Sequence, residues 1–425
     1  MTSRNDTDAS GRAAVTAAGG AHGVAAIEGG ATWDIAVDAV LTALAGSEDA
    51  DLAIVFVDSR FCDHYVDILA RLDETLRPAQ LIGCSGQVVV GPGREAEDTP
   101  AISVMALRLP GAVLTPIALP EDGARAARAL AALADAEVSA IVLFADPYSV
   151  NADHLIAGLE ERYPEVTLIG GLASSHNGGR GTALFQGAHV RPSGTVILAL
   201  GGAVEVRTVV AQGAQPIGHP WTITAAERNF VQTIGNRPAI DVLRETIAEL
   251  DEATRERASR NLLVGLAINE YRHEFGRGDY LIRNLLGYDQ ESGAVAVSAN
   301  VRVGQTLQFQ FRDAAAADED LRAQLADVPA ALGLGQELLG VLLCTCNGRG
   351  RDLFGVPDHD AGAIRDALGA PPIAGLFCNG EIGPISGRTF MHGFTASLGL
   401  FLTTGRQAAD AGDRIDPAVR RSGGR

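Results

Sequence analysis

Three stretches of this chain follow one pattern, and that recurrence limits the fold more than any other feature. Near Ala53 the sequence runs AIVFVDSR and then FCDHYVDILARLDETLRPAQLIGCSG. Near Ala140 it runs AIVLFADPYS and then NADHLIAGLEERYPEVTLIGGLAS, and near Val341 VLLCTCNGRG and then PDHDAGAIRDALGAPPIAGLFCNG. Each is a short apolar run, a loop, an Asp-His pair, an amphipathic stretch and a second apolar run closing on glycine. Runs of this length bounded by Gly and Pro read as buried strands, and the stretch between them as a helix. The pairs are Asp63-His64, Asp153-His154 and Asp358-His359. The same distance separates Asp153 from Gly170 and Asp358 from Gly375, while Asp63 to Gly83 is longer by about one helical turn. An aspartate just before a helical period is expected to cap the helix. Three histidines in like contexts on separate units are expected to be architectural and not one catalytic centre.

Each unit continues through a Gly-rich turn into an apolar segment expected to form a hairpin: Pro100–Leu119, Gly194–Gln212 and Arg388–Leu402. The repeated unit is therefore strand–helix–strand–hairpin. The fold class is α/β, with two domains of such units and mixed sheets flanked by helices. A strand-rich stretch between the second and third units holds NLLVGLAINE, GDYLIRNLLG, AVAVSANVRV and TLQFQF. It reads as a candidate fourth, rearranged copy, although no Asp-His pair marks it. The charged helical linker Arg237–Arg260 sets the expected boundary, giving an N-terminal domain of residues 31–247 with two units and a C-terminal domain of 248–404. Residues 1–30 and 405–425, small and poor in large apolar side chains, are expected to be disordered tails.

Composition removes whole classes of function. A length of 425 residues suits two or three domains. All 34 basic residues are arginine, which excludes a Walker A loop and a lysine Schiff base. The net charge of −18 argues against a phosphate-tracking nucleic-acid binder. Five cysteines, spread from Cys62 to Cys378, are no disulfide framework and point to a reducing, cytoplasmic compartment. The first 30 residues lack the apolar core of a signal peptide. The longest apolar stretches, such as Thr195 to Val204, reach only about half of what a bilayer helix needs, so no membrane insertion is expected.

Several segments carry a family resemblance. LIGCSGQVVVGPGREAEDTPAISVMAL (Leu81–Leu107) and GAQPIGHPWTITAAERNFVQTIGNRPAIDVL (Gly213–Leu243) resemble the N-terminal pattern of the FIST family of sensory domains, named for F-box and intracellular signal transduction proteins. RGDYLIRNLLGYD (Arg277–Asp289), VRVGQTLQFQFRDA (Val301–Ala314), CNGRG (Cys346–Gly350) and GLFCNGEIGPISGRTFMHGFTAS (Gly375–Ser397) resemble its C-terminal pattern. Together they span roughly residues 50 to 400. The resemblance implies binding of a small ligand, an amino acid or derivative, coupled to signalling. No kinase, cyclase, methyl-accepting or F-box region is recognisable, so a stand-alone sensor acting through a signalling protein partner is expected, and a homo-oligomer is left open.

Two Gly-rich loops that follow apolar strands are the best site candidates, because such loops expose backbone N–H groups at fixed positions. They are Cys346-Asn347-Gly348-Arg349 and Cys378-Asn379-Gly380-Glu381. If the loops converge, Arg349 and Glu381 would take the carboxylate and ammonium of a zwitterion. The bland alternative pairs these two residues with each other or with water. His392, in the following hairpin, is a candidate for the same cavity, against a packing role. Arg283 and Arg302 are candidate anion ligands, against surface ion pairs. An interaction scaffold that recruits a signalling partner is the second reading. A thiol-dependent hydrolase or transferase using Cys346 or Cys378 with His392 and Glu381 is the third, although buried structural cysteines are commoner. A zinc site from Cys344, Cys346, Cys378 and His392 has the wrong spacing for a knuckle. No catalytic residue, metal or cofactor is therefore assigned, and an enzyme is the less favoured outcome.

Overall fold

The computed structural model describes residues 6–7, 12–121, 126, 129–133, 137–272 and 274–404; the expected tail at 405–425 lies outside them. Three sheets are built to one plan. At the middle of each, two strands joined through a helix run parallel: Leu52–Asp58 with Gln80–Gly86, Ala140–Ala145 with Thr167–Leu172, and Leu338–Cys346 with Ile373–Cys378. The crossover helices are Tyr65–Leu76, Ala152–Arg162 and His359–Leu368. The glycine that recurs in the second strand is a steric requirement. A Cβ at Gly83, Gly170 or Gly375 would lie 1.7, 1.8 or 2.2 Å from the carbonyl oxygen of Val55, Leu143 or Leu343 on the neighbouring strand. Only glycine lets the strands approach that closely.

Each unit's last strand returns beside its first: Ala101–Arg108, Thr195–Gly202 and Ala396–Thr403. The expected hairpins do not form there. Ala112–Leu119 leaves its own unit and pairs with Thr195–Gly202, and Val204–Ala211 likewise pairs with Ala396–Thr403. Both edges of Ala101–Arg108 are already occupied, by Leu52–Asp58 and by His22–Gly29, so the next strand has no edge to fold back on. Short hairpins are exchanged as well. The pair Leu184–Gln186 and His189–Arg191 extends the first sheet, Glu381–Ile385 and Arg388–His392 the second, and Val89–Gly91 and Arg94–Glu95 the third. The exchange is cyclic, and His22–Gly29 closes the ring. Residues 12–30 are thus corrected from a disordered tail to integral strands, because only they can pair the open edge of Ala101–Arg108.

Alternation along the strands divides the core. Ile54, Phe56, Val142, Phe144, Leu342 and Cys344 face one shared interior, where Phe56 and Phe144 meet edge to face at 5.3 Å. Val55, Leu143 and Leu343 face outward to separate helix-covered layers.

Residues 214–312 form a different object. Six antiparallel strands close on themselves in the order Thr306–Arg312, Trp221–Glu227, Phe230–Ile234, Val295–Val297, Tyr280–Tyr288 and Leu262–Ala267. Closure satisfies every edge, and Ile223, Val231, Val264, Val297 and Phe309 fill the interior. The segment is therefore an inserted barrel and not a fourth copy of the unit, since it contains no parallel pair among the described residues. Helices Ala239–Ala248 and Glu252–Arg260 lie between the barrel's second and third strands in sequence. A boundary at 247 thus divides the barrel in sequence, and sheets in the core mix strands from both sides of it.

The helix caps also differ from expectation. Asn151 Oδ1 accepts from His154 N at 3.0 Å, so Asn151, not Asp153, caps that helix. Asp358 sits in left-handed backbone and accepts from Glu95 N, while Glu95 Oε1 caps the helix by accepting from Asp360 N and Ala361 N.

Candidate functional site

The two Cys-Asn-Gly loops do meet. Cys346 and Cys378 are paired residues at the ends of adjacent parallel strands, where open α/β sheets place their ligand crevices. Asn347 N donates to Cys378 O at 3.1 Å, and Asn347 Nδ2 donates to Asn379 Oδ1 at 2.8 Å. Gly380 O accepts from Leu172 N in the second unit. The loops direct most of these polar groups to one another and to the neighbouring unit, while the buried Asn347 Oδ1 has no partner among the described residues.

The expected charge pair is corrected. Arg349 is 1% exposed and holds Asp360 through two hydrogen bonds, Nε to Oδ2 at 2.7 Å and Nη2 to Oδ1 at 2.9 Å. Asp360 also accepts from Thr345 Oγ1 and contacts His359 Nδ1 at 2.9 Å. Burial opposes its charge, but the Arg349 guanidinium and the His359 contact outweigh that and hold its carboxyl below the usual range. Arg349 is therefore a structural cation, turned inward because the helix that starts at His359 brings a carboxylate beneath the loop.

Glu381 is fully buried, with Oε2 accepting from Thr395 N at 3.0 Å and Oε1 accepting from the Cys378 thiol at 3.5 Å. Burial pushes its pKa up to about 8. Glu95 is raised to about 8 by burial and by the neighbouring Asp360. The thiols are held protonated: burial and Glu381 push Cys346 up to about 12, and Cys378 rises for the same reasons. That is the opposite of an activated thiolate. His392 is corrected to a packing role. Its Nε2 lies 2.9 Å from Gly383 O across its own hairpin, and burial lowers its pKa to about 4. Arg283 is half-buried with Nη1 donating to Ile282 O, on the opposite strand face from Asn284.

The open space lies one step away, at Arg312 on the barrel's last strand. Its guanidinium reaches out to the core: Nη2 donates to Gly348 O at 2.7 Å and Nη1 to Phe394 O at 3.2 Å, with the Phe394 ring centroid 4.5 Å from its central carbon. It is 4% exposed and has no carboxylate partner among the described residues. With Phe394, Asn261, Asn284, Leu263 and Leu285 it lines a cleft of about 320 Å³ between barrel and core. Burial, with Arg349 nearby, lowers its pKa to about 10, which leaves it charged at neutral pH. Of the sequence candidates, Gly348 alone touches this cleft's anchor. Sequence alternation gave no signal for Arg312: in Thr306–Arg312 it continues the polar face of Gln308 and Gln310, while Leu307, Phe309 and Phe311 pack in the barrel.

The chain matches the FIST N domain over residues 51–237 and the FIST C domain over residues 239–384. It is 41% identical over 359 residues to an uncharacterized protein of Mycobacterium tuberculosis strain H37Rv, covering 84% of this chain and 93% of that one. It is 38% identical over 359 residues to an uncharacterized protein of Mycobacterium bovis, covering 84% and 92%. Among the described residues no helix is long and apolar enough to cross a membrane.

Proposed function

The chain belongs to the FIST family, and we propose that it is a cytoplasmic small-molecule sensor for signal transduction whose ligand carboxylate binds Arg312. One observation carries this reading. Arg312 is a nearly buried guanidinium that satisfies two backbone carbonyls, lacks a carboxylate partner among the described residues, and lines a cleft of about 320 Å³. An unneutralised charge in such a place is costly unless an anion completes it. The volume lies at the lower end of small-molecule sites, about 300–1,000 Å³.

The lining also supports a choice of ligand. Asn261 and Asn284 offer amides, and Leu263, Leu285 and Phe394 offer apolar surface, but no acid lines the cleft. The ammonium of a free amino acid has no counter-charge there. An amino acid derivative with its nitrogen acylated suits the cleft better, its carboxylate on Arg312 and its side chain on the leucines. The bound state is then read by a signalling partner.

Thermal-shift and calorimetric titration with N-acetyl-leucine, leucine and leucinamide test this. The expected order is N-acetyl-leucine first and leucinamide silent, with the response lost in Arg312→Gln and kept in Arg283→Gln. Equal binding of leucinamide, or a response that survives Arg312→Gln, overturns the reading.

A further inference from the structure

A second, larger recess of about 530 Å³ lies at the other end of the barrel strand Leu262–Ala267. Its walls come from the segment Ile268–Arg272, from Arg302 and from the tip of the hairpin Glu381–His392. Arg272, Arg302 and Arg388 line it against a single acid, Glu270, on a chain whose net charge is −18. Two of the arginines are held in place: Arg302 Nη2 donates to Glu270 Oε1 at 2.6 Å, and Arg272 Nη1 donates to Asp279 Oδ1. Arg388 has no carboxylate partner among the described residues, and its guanidinium carbon stands 5.5 Å from the Phe390 ring centroid. The turn before it is tight, with Ser386 at φ 52° and Gly387 at φ 77°, which fixes the point from which Arg388 extends. Tyr271 completes the wall with a side chain that leaves the residue 95% exposed, and its backbone N–H is held by Asn269 Oδ1 at 3.0 Å.

We propose that this recess binds an organic phosphate carrying a planar ring, of the nucleoside monophosphate class. Two of the three guanidiniums are neutralised by Glu270 and Asp279, which leaves Arg388 as the uncommitted cation for a phosphate monoester, and guanidinium forks suit phosphate oxygens geometrically. Arg388 makes the primary contact, because its donors are not committed to an acid, and Arg302 makes the second. Tyr271 presents the one large flat apolar surface of the recess, and a base or similar ring stacks on it. The cleft at Arg312 has one cation and half-apolar walls, so the two sites select different ligands. The inference stands whether or not the carboxylate reading of Arg312 holds.

Calorimetric titration of the full chain with adenosine 5′-monophosphate and with inorganic phosphate tests it. The nucleotide is expected to bind at least about tenfold more tightly than phosphate, reflecting ring stacking. Arg388→Ala weakens both by about tenfold or more, and Tyr271→Ala reduces the nucleotide to the affinity of phosphate. No heat from the nucleotide at millimolar concentration, equal binding of nucleotide and phosphate, or affinity unchanged in Arg388→Ala overturns the proposal. Both substituted side chains are exposed, so the variants keep the fold, which a thermal melt verifies.

Discussion

Replacing Asp360 with asparagine is the sharpest test of the inward-facing Arg349. The carboxylate receives Arg349 Nε at 2.7 Å and Nη2 at 2.9 Å, and Thr345 Oγ1 at 2.8 Å. Arg349 Nη1 already has no partner. Asparagine preserves the shape but removes the charge and turns an N–H toward a guanidinium that water does not reach. Leaving one member of a buried ion pair alone costs about 3–5 kcal/mol, a large part of a typical stability of about 5–15 kcal/mol. Equilibrium urea unfolding at neutral pH, followed by circular dichroism, measures the loss. The double variant Asp360→Asn, Arg349→Met is expected to recover most of it, because a methionine of similar length does not need a counter-charge. The pH dependence has a definite sign. Asp360 has a lowered pKa in the fold, so its contribution is present above the unfolded value of about 4 and fades as the pH falls below it. The deficit of the single variant therefore shrinks in acid. A loss below about 1 kcal/mol, the scale of an exposed pair, or a double variant no better than the single one, refutes the argument.

Glu381→Gln is expected to stabilise the protein at pH 8 and to do so less at pH 5. A carboxyl whose folded pKa is raised from about 4.3 to about 8 costs stability progressively as pH rises through that window, and glutamine imitates the protonated form; parallel denaturation curves at the two pH values check it. Gly375→Ala is expected to cost about 3 kcal/mol or prevent folding, since its Cβ meets the Leu343 carbonyl oxygen at 2.2 Å. A thermal melt close to that of the wild type would contradict the steric account. Deleting residues 1–30 should abolish cooperative unfolding, because His22–Gly29 supplies a full antiparallel ladder to Ala101–Arg108; a truncated chain with an unchanged melting temperature would show that the strand is dispensable.

The strand–helix–strand units were legible because two local signals coincide in them: unbroken apolar runs and a glycine at one fixed point. The exchange of strands between units was not, because pairing partners leave no mark on periodicity. Val204–Ala211 looks the same whether it folds back on Thr195–Gly202 or crosses to Ala396–Thr403. The N-terminal strand was hidden by its own composition. HGVAAIEG reads as a loose tail, yet its small residues answer a packing demand: a Cβ on Gly23 would lie 1.9 Å from Leu339 O in the facing sheet. Low hydrophobicity there reports closeness and not disorder.

The candidate site shows the same division between local and distant information. The sequence singled out the two loops but left open whether they meet, and it gave Arg349 to a ligand carboxylate, with Glu381 of the sister loop as its counterpart. The partner is Asp360, the second residue of the following helix, and the carboxylate that caps that helix is Glu95, from another unit altogether. A buried arginine takes the nearest carboxylate that needs no solvent to reach it, so the acid at a helix start, directly after an Asp-His pair, outcompetes one across a loop. Arg312 escapes that fate because it comes from the inserted barrel, whose last strand ends against the core with only carbonyls within reach. The insertion thus brings a cation without a carboxylate partner against the loops of the core, which is why the proposed ligand site lies at the junction and not in the repeated loops.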